Sequence, residues 1–126
     1  HVMGWSTTVV SPPDGDMRAY MASLDLLLAR DDAIYWPTHG PAIREPQRFV
    51  RALAGHRRAR EAQILACLRA GKTRIPDMVA TMYAAVPRHL HGAAAHTVFA
   101  HLIHMVQTGR ARCEGPPTAA SEFHLP

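Results

Sequence analysis

The chain has 126 residues, of which 48% are hydrophobic and 19% are charged, and this composition is typical of a folded soluble chain rather than a disordered or fibrous one. No run comes near the roughly 18 uninterrupted apolar residues of a membrane-spanning helix, so we predict no membrane association. The net charge of +4 permits an acidic partner without requiring one. The only cysteines, Cys67 and Cys113, lack the spacing of a disulfide scaffold or a cysteine zinc site, which favours a reducing cytoplasm.

The first third of the chain predicts a strand, a helix and a second short strand. Residues 5–10 are β-prone and are closed by the pair Pro12-Pro13, which cannot continue a strand ladder. Asp16 can cap a helix of about four turns that ends near residues 31–32. The apolar residues of this helix recur at spacings of three and four, at Met17, Tyr20, Met21, Leu24, Leu27 and Leu28. Residues 33–36 then predict a short buried strand.

The middle of the chain predicts a stiff loop followed by helical structure. The segment PTHGP, residues 37–41, is bracketed by prolines and follows the second strand directly. Pro46 suits the first turn of a helix, and the helical pattern continues to residue 70 without a breaker. The sequence leaves open whether this is one long helix or two helices joined near Gly55.

The last part of the chain predicts three short helices and a β-hairpin, which is the outline of a winged helix. After the helical run that ends near residue 70, a helix begins at Pro76 and is stopped by Pro87, and another runs from about His89 to Gln107. Strands are predicted at residues 110–113 and 122–125, on either side of a Gly-Pro-Pro turn. The predicted fold class is therefore α+β, with a mainly α-helical module at residues 56–126.

His39 is the candidate residue with the clearest chemical potential. A strand that ends in a proline-bracketed turn can hold an imidazole in one orientation, and Gly40 lets the backbone approach another loop closely. A neutral imidazole nitrogen held in this way is a good zinc ligand. The alternative is an ordinary hydrogen-bonded or capping histidine of a loop, and spacing alone favours this alternative.

A family resemblance favours the interpretation of His39 as a zinc ligand over that of an ordinary loop histidine. Taken together, the segments DGDM, IYWPTHGP and HRRAREAQIL resemble the C-terminal part of metallo-β-lactamase-fold hydrolases, and in particular the β-lactamase-like protein 2 group, whose members end in a winged helix. PTHGP resembles the final metal-binding motif of that family, which implies that His39 is a zinc ligand. HVMGWSTTVV resembles the segment that follows the metal-bridging aspartate. That aspartate and the HxHxDH cluster would lie upstream of His1.

The resemblance implies a division of the chain and an activity for the whole protein. Residues 1–55 would end an αββα hydrolase domain as helix, short strand and helix, and residues 56–126 would form the winged helix. The complete protein would hold a binuclear or a mononuclear zinc centre, with two zinc ions expected, and would use a metal-activated water on a thioester, an ester or an RNA phosphodiester. Its partners would be a small-molecule or RNA substrate and the missing N-terminal half of the hydrolase domain. We expect this segment alone to be inactive, and we expect Trp5, Thr7 and Tyr35 to lie near the substrate pocket.

The remaining histidines and the charged run HRRARE favour structural roles. His101 and His104 could share a metal in principle, but they are three residues apart without a nearby carboxylate or cysteine, so a partly exposed helical face accounts for them and for His96. His89 and His91 are expected to be solvated. We interpret residues 56–61 as a solvated face or as bridges between the two modules, with a possible pairing of Arg57 and Glu61. The alternative is that these arginines bind a phosphate or carboxylate of the substrate.

A second class of function is a non-enzymatic winged-helix module that binds nucleic acid or protein. The helix that would enter a DNA groove, residues 89–107, carries no lysine or arginine. Because such a helix neutralises phosphates poorly, we do not expect sequence-specific DNA binding. Packing against the hydrolase domain or covering its active site is the more economical role for this module.

Overall fold

Four α-helices and a single 3₁₀ turn carry the regular structure of the chain, and the computed structural model describes all 126 residues. Helix α1 spans Met17–Leu28, α2 spans Pro46–Arg69, α3 spans Ile75–Met82 and α4 spans His91–Gln107, with the 3₁₀ turn at Arg88–Leu90. No helix combines the length and the apolar character that crossing a bilayer requires.

Helix α1 begins where the sequence predicts and ends earlier. The Asp16 carboxylate accepts a hydrogen bond from the Ala19 amide at 2.9 Å, which confirms the predicted N-cap. Met17, Tyr20 and Leu24 form its buried side. The helix ends at Leu28 instead of near residues 31–32, and the Arg30 guanidinium pairs with the Asp32 carboxylate at 2.8 Å in the following turn.

Helix α2 is one long helix, whereas the sequence left open whether two helices are joined near Gly55. It runs without interruption for 24 residues and passes through Gly55, which is exposed and has no atom of another segment within 4 Å of the position of a Cβ. The boundary predicted between residues 55 and 56 therefore falls inside a continuous helix. The division into two domains stays a prediction.

The predicted strands do not form, and the expectation of an α+β chain is wrong to that extent. Residues 5–10, 33–36, 110–113 and 122–125 contribute only two isolated antiparallel bridges, which pair Tyr35 with Ile43 and Arg112 with His124. A strand needs neighbouring strands to satisfy its backbone groups along its length. Because each of these segments meets at most one partner residue in this way, the chain is mainly helical.

The core consists of two clusters that share helix α4. The first cluster lies between α1 and the first half of α2 and includes Val10 and Leu24. The second lies among the end of α2, α3, α4 and the C-terminal segment, where Phe123 is fully buried. Ala100 of α4 belongs to the first cluster while Leu102 belongs to the second. Helix α4 thus ties the two halves of the chain together.

The connection between α3 and α4 differs from the prediction in the residue at which α3 ends and in the surroundings of His91. Helix α3 ends at Met82, before the predicted stop at Pro87, and Pro87 instead precedes the 3₁₀ turn. His89 is exposed as expected. His91 is not simply solvated: its Nε2 lies 2.9 Å from the Tyr83 carbonyl oxygen and 3.0 Å from that of Val86. The ring therefore fixes the turn that precedes α4.

Candidate metal-binding loop

The loop that carries His39 is closed at its base by a pair of backbone hydrogen bonds. Tyr35 and Ile43 exchange N–H···O bonds of 2.9 Å in both directions, so the two ends of the segment are held together. The chain reverses at Gly40, whose φ of +94° lies in the left-handed region that favours glycine. His39 therefore sits at the tip of a short, closed loop.

The N-terminal segment holds the tip of this loop in place. The Gly4 amide donates a hydrogen bond of 2.8 Å to the His39 carbonyl oxygen. A Cβ at Gly40 would lie 2.7 Å from the Gly4 Cα, and a Cβ at Gly4 would lie 2.6 Å from the Pro41 carbonyl oxygen. Because both glycines allow this backbone contact, the main chain of His39 is fixed from two sides.

The His39 side chain remains available to a ligand. It is exposed, and none of the hydrogen bonds of the chain engages its ring nitrogens. The indole of Trp5 lies beside it, with ring centroids 6.5 Å apart and an interplanar angle of 35°. A fixed backbone with an exposed imidazole leaves the side chain of His39 free to bind a metal ion.

Replacing Gly40 with alanine is expected to lower the free energy of unfolding by about 2–4 kcal/mol. The residue would have an unfavourable φ, and its Cβ would collide with the Gly4 backbone. Gly71→Ala is the matched control, since its φ of +81° imposes the same backbone strain but nothing lies within 4 Å of the added Cβ. Thermal or urea unfolding of both variants measures the difference. Equal losses of stability in the two variants would show that the contact with Gly4 contributes nothing.

The three residues expected near a pocket are placed in different surroundings. Trp5 is 72% exposed and lies against His39. Tyr35 lies at the base of the loop, where its hydroxyl is buried without a hydrogen-bond partner and burial raises its pKa. Thr7 lines a groove with His56 and Arg57. The structure thus brings Trp5 and Tyr35 to the His39 loop, while Thr7 lines this groove.

A cavity of about 480 Å³ opens beside the base of the loop. His1, Leu27 and Tyr35 are among the residues that line it, together with the ion pair between Arg30 and Asp32. The His1 ring stacks on Tyr20 with centroids 6.2 Å apart. Across the whole chain, no three histidine, cysteine, aspartate or glutamate side chains lie close enough together to hold a metal ion. His39 is therefore the one candidate ligand that the loop presents.

Sequence reasoning missed two buried polar residues at the junction of the two core clusters. Arg57 is only 4% exposed, although the charged run around it favours a solvated face. His101 is 1% exposed, so the prediction of a partly exposed helical face is wrong for it. Glu61 pairs with Arg110 instead of Arg57. The position of His101 within an apolar run of α4 is the signal that could have indicated its burial.

Comparison with known proteins agrees with the winged-helix prediction for the later part of the chain. A family model of the β-lactamase associated winged helix domain matches residues 75–116. A solved structure of a β-lactamase domain protein from Burkholderia ambifaria superposes with a TM-score of 0.76 at 22% identity, covering 95% of this chain and 38% of that one. A metallo-β-lactamase family protein from Thermus thermophilus gives a TM-score of 0.65 at 22% identity, covering 87% of this chain and 33% of that one.

Two curated relatives extend the similarity over nearly the whole chain. The sequence is 31% identical over 127 residues to a β-lactamase-like protein 2 homolog of Drosophila melanogaster, covering 98% of this chain and 41% of that protein. It is 24% identical over 137 residues to the lactamase-like protein adaB of Aspergillus niger, covering 98% of this chain and 42% of that protein. The chain thus spans about two fifths of the length of these relatives.

The fold of the chain is thus similar to part of a β-lactamase domain protein, and residues 75–116 match a winged helix domain that is associated with β-lactamases. The resemblance predicted from the sequence motifs is confirmed: the chain is similar to part of the metallo-β-lactamase family proteins, and among them to a β-lactamase-like protein 2 homolog.

Proposed function

We propose that this chain is the C-terminal part of a zinc-dependent hydrolase and that it supplies one metal ligand, His39. The observation that carries the proposal is the state of the His39 loop. Its backbone is fixed by the Tyr35–Ile43 bridge and by Gly4, while the ring is exposed and has no hydrogen bond. Both ring nitrogens of His39 are therefore free to bind a metal ion.

The other ligands of the proposed site would come from a segment upstream of His1. The family pattern places a bridging aspartate and an HxHxDH cluster there, and the complete protein would hold two zinc ions. Zinc in such a site acts as a Lewis acid and lowers the pKa of water, which provides a nucleophile near neutral pH. The reaction would be cleavage of a thioester, an ester or an RNA phosphodiester.

The residues of this chain would orient His39 and shape one side of the pocket. Gly4 and Gly40 would fix the loop, Trp5 would limit the movement of the imidazole, and Tyr35 would present its unpartnered hydroxyl near the base of the loop. Residues 1–55 would complete the hydrolase domain and residues 56–126 would form an accessory winged helix. Because α2 passes through this boundary, the two units would share one continuous helix.

The hydrolase is tested with the full-length gene product and three substrates: a hydroxyacylglutathione thioester, phenyl acetate and a short single-stranded RNA. We expect hydrolysis of at least one of them to be abolished by a chelator and restored by zinc. His39→Ala is expected to lower kcat/KM by at least about a hundredfold, because losing a ligand disrupts the site more than losing one of its supporting residues. His89→Ala, which removes an exposed histidine of the 3₁₀ turn, is the matched control.

Hydrolysis that resists the chelator, or that is equal in His39→Ala and the native protein, would contradict this proposal. The alternative is a non-enzymatic module that binds nucleic acid or protein through the winged helix. It predicts duplex binding that weakens steeply with salt. The absence of duplex binding at low salt would remove the nucleic-acid form of that alternative.

A further inference from the structure

A groove of about 290 Å³ separates the N-terminal segment from the helices of the second core cluster. One wall is formed by the N-terminal segment at Thr7 and Val9, a second by α2 at Arg57 and Arg60, and a third by the region between α3 and α4, which includes Leu90. We call it the Arg57 groove. Cationic side chains and threonine hydroxyls line it together with apolar residues, and no aspartate or glutamate does.

Arg57 is a buried cation without an anion. Its side chain donates one hydrogen bond, to the Thr8 carbonyl oxygen, and its guanidinium lies 4.9 Å from the centroid of the Tyr20 ring. No carboxylate forms an ion pair with it, although it is only 4% exposed. Removing a charge from water is costly unless an opposite charge or several hydrogen bonds compensate. A guanidinium has five N–H donors, so most of its capacity stays unused within the chain.

Arg60 places a second unpaired cation at the same groove. Its guanidinium lies 4.4 Å from the centroid of the Tyr83 ring and donates to the Gln63 side-chain oxygen at 3.0 Å, and it also has no carboxylate partner. The nearby His56 responds to this environment, because burial, and then the charges of Arg60 and Arg57, lower its pKa. Two cations and no anion thus meet at one concave surface.

We infer that the Arg57 groove binds the phosphate or carboxylate group of a small amphipathic substrate, with Arg57 and Arg60 holding the oxyanion. Arginine suits this role because its planar fork can donate two parallel hydrogen bonds to an oxyanion. The apolar part of the ligand would lie over Val9 and Leu90, which are 73% and 46% exposed. An anionic group recognised here defines the substrate class as an acidic acyl compound or an organic phosphate.

The position of the groove connects it to the proposed hydrolytic site, and in this respect the inference rests on the proposed function. Gly4 contacts the His39 loop and Thr7 lines the groove. Three residues of extended chain span at most about 11 Å. The backbone that contacts the His39 loop and the backbone that lines the groove are therefore close, and the inference extends to a substrate with its reacting group at His39 and its anionic group at Arg57 and Arg60.

The test uses the full-length gene product after removal of metal with a chelator, with phenyl phosphate and phenylacetate as separate probes in a calorimetric titration. At least one probe is expected to bind. Its affinity should fall about tenfold in Arg60→Gln, which loses a charge-assisted hydrogen bond, and recover partly in Arg60→Lys. Arg58→Gln is the matched control, because Arg58 is exposed on the same helix and does not line the groove. Circular dichroism checks that each variant is folded.

The absence of binding by both probes, or equal losses of affinity in Arg60→Gln and Arg58→Gln, would overturn the inference. So would a short RNA that binds far more tightly than either probe and depends on Arg60. Failure of the proposed function is distinguishable, because it would appear as zinc binding and hydrolysis that His39→Ala leaves unchanged, while the metal-free protein would still bind the probe through Arg60. If both proposals hold, Arg60→Gln raises KM for an anionic thioester about tenfold, leaves kcat within about twofold and does not affect a neutral thioester.

Discussion

Acidification of the metal-free protein is expected to lower its free energy of unfolding, and a single buried histidine contributes up to about 1.4 kcal/mol per pH unit between pH 6.5 and about 3. The cause is His101, which is 1% exposed and has no hydrogen-bond partner at either ring nitrogen. Burial lowers the pKa of His101 to about 3, and the positive charges of Arg57, His104 and His56 act in the same direction.

The sign of this dependence follows from which state binds the proton. Between the folded pKa of about 3 and the ordinary pKa of 6.5, the unfolded chain takes up a proton at His101 that the folded chain rejects. The contribution of the neutral His101 to the free energy of unfolding is therefore fully present above pH 6.5 and is lost as the pH falls toward 3. Burial lowers the pKa values of His56 and His104 as well, and both add to the loss in the same direction.

Urea unfolding over a pH series, with a chelator present throughout, measures this slope. His101→Leu should flatten it markedly and leave the stability at pH 7 equal or higher, because it removes two buried nitrogens that have no partner. His89→Leu replaces an exposed histidine and should keep the native slope. If His101→Leu retained the native slope, burial of this histidine could not be the source of the acid sensitivity.

Phe123→Ala is expected to destabilise the protein by about 3–5 kcal/mol, which is the usual cost of emptying a fully buried phenylalanine site. Phe123 is 0% exposed and is the largest fully buried side chain of the second core cluster. Its amide donates to the Thr73 carbonyl oxygen at 2.8 Å, and the neighbouring His124 exchanges two backbone hydrogen bonds with Arg112. The side chain therefore anchors the C-terminal segment to helices α2, α3 and α4.

Phe99→Ala serves as the control for this prediction, because Phe99 packs against the same cluster but is only partly buried. Its cost should be clearly smaller in the same urea unfolding experiment. Phe123→Leu, which fills most of the site, should recover more than half of the loss. A loss below about 1 kcal/mol for Phe123→Ala would mean that the C-terminal segment adds little to the core.

The helices of this protein were predictable because their signals are local. The spacing of Met17, Tyr20 and Leu24 and the cap at Asp16 identify α1 without knowledge of the rest of the fold. The strands were not predictable in the same way. Residues 33–36 have the composition of a strand, but a strand also needs a partner, and Tyr35 finds only Ile43. Whether a ladder forms depends on segments that a local pattern does not reveal.

The candidate site was likewise predictable only where its signals are local in sequence. The prolines and glycine around His39 indicate a stiff loop, and the structure contains one, closed by Tyr35 and Ile43. The contact between Gly4 and the loop joins residues far apart in sequence, and so does the burial of Arg57 against Tyr20. Charge alone indicated a solvated arginine, because the apolar surroundings that bury it come from a distant helix.

Zinc binding by the full-length gene product, measured by metal analysis after dialysis at a fixed free zinc concentration, tests most directly the claim that His39 is a metal ligand. The protein should retain zinc, and His39→Ala should lose about one equivalent or bind it at least about a hundredfold more weakly. His89→Ala should bind zinc as the native protein does. Equal zinc content and affinity in His39→Ala and the native protein would contradict the account.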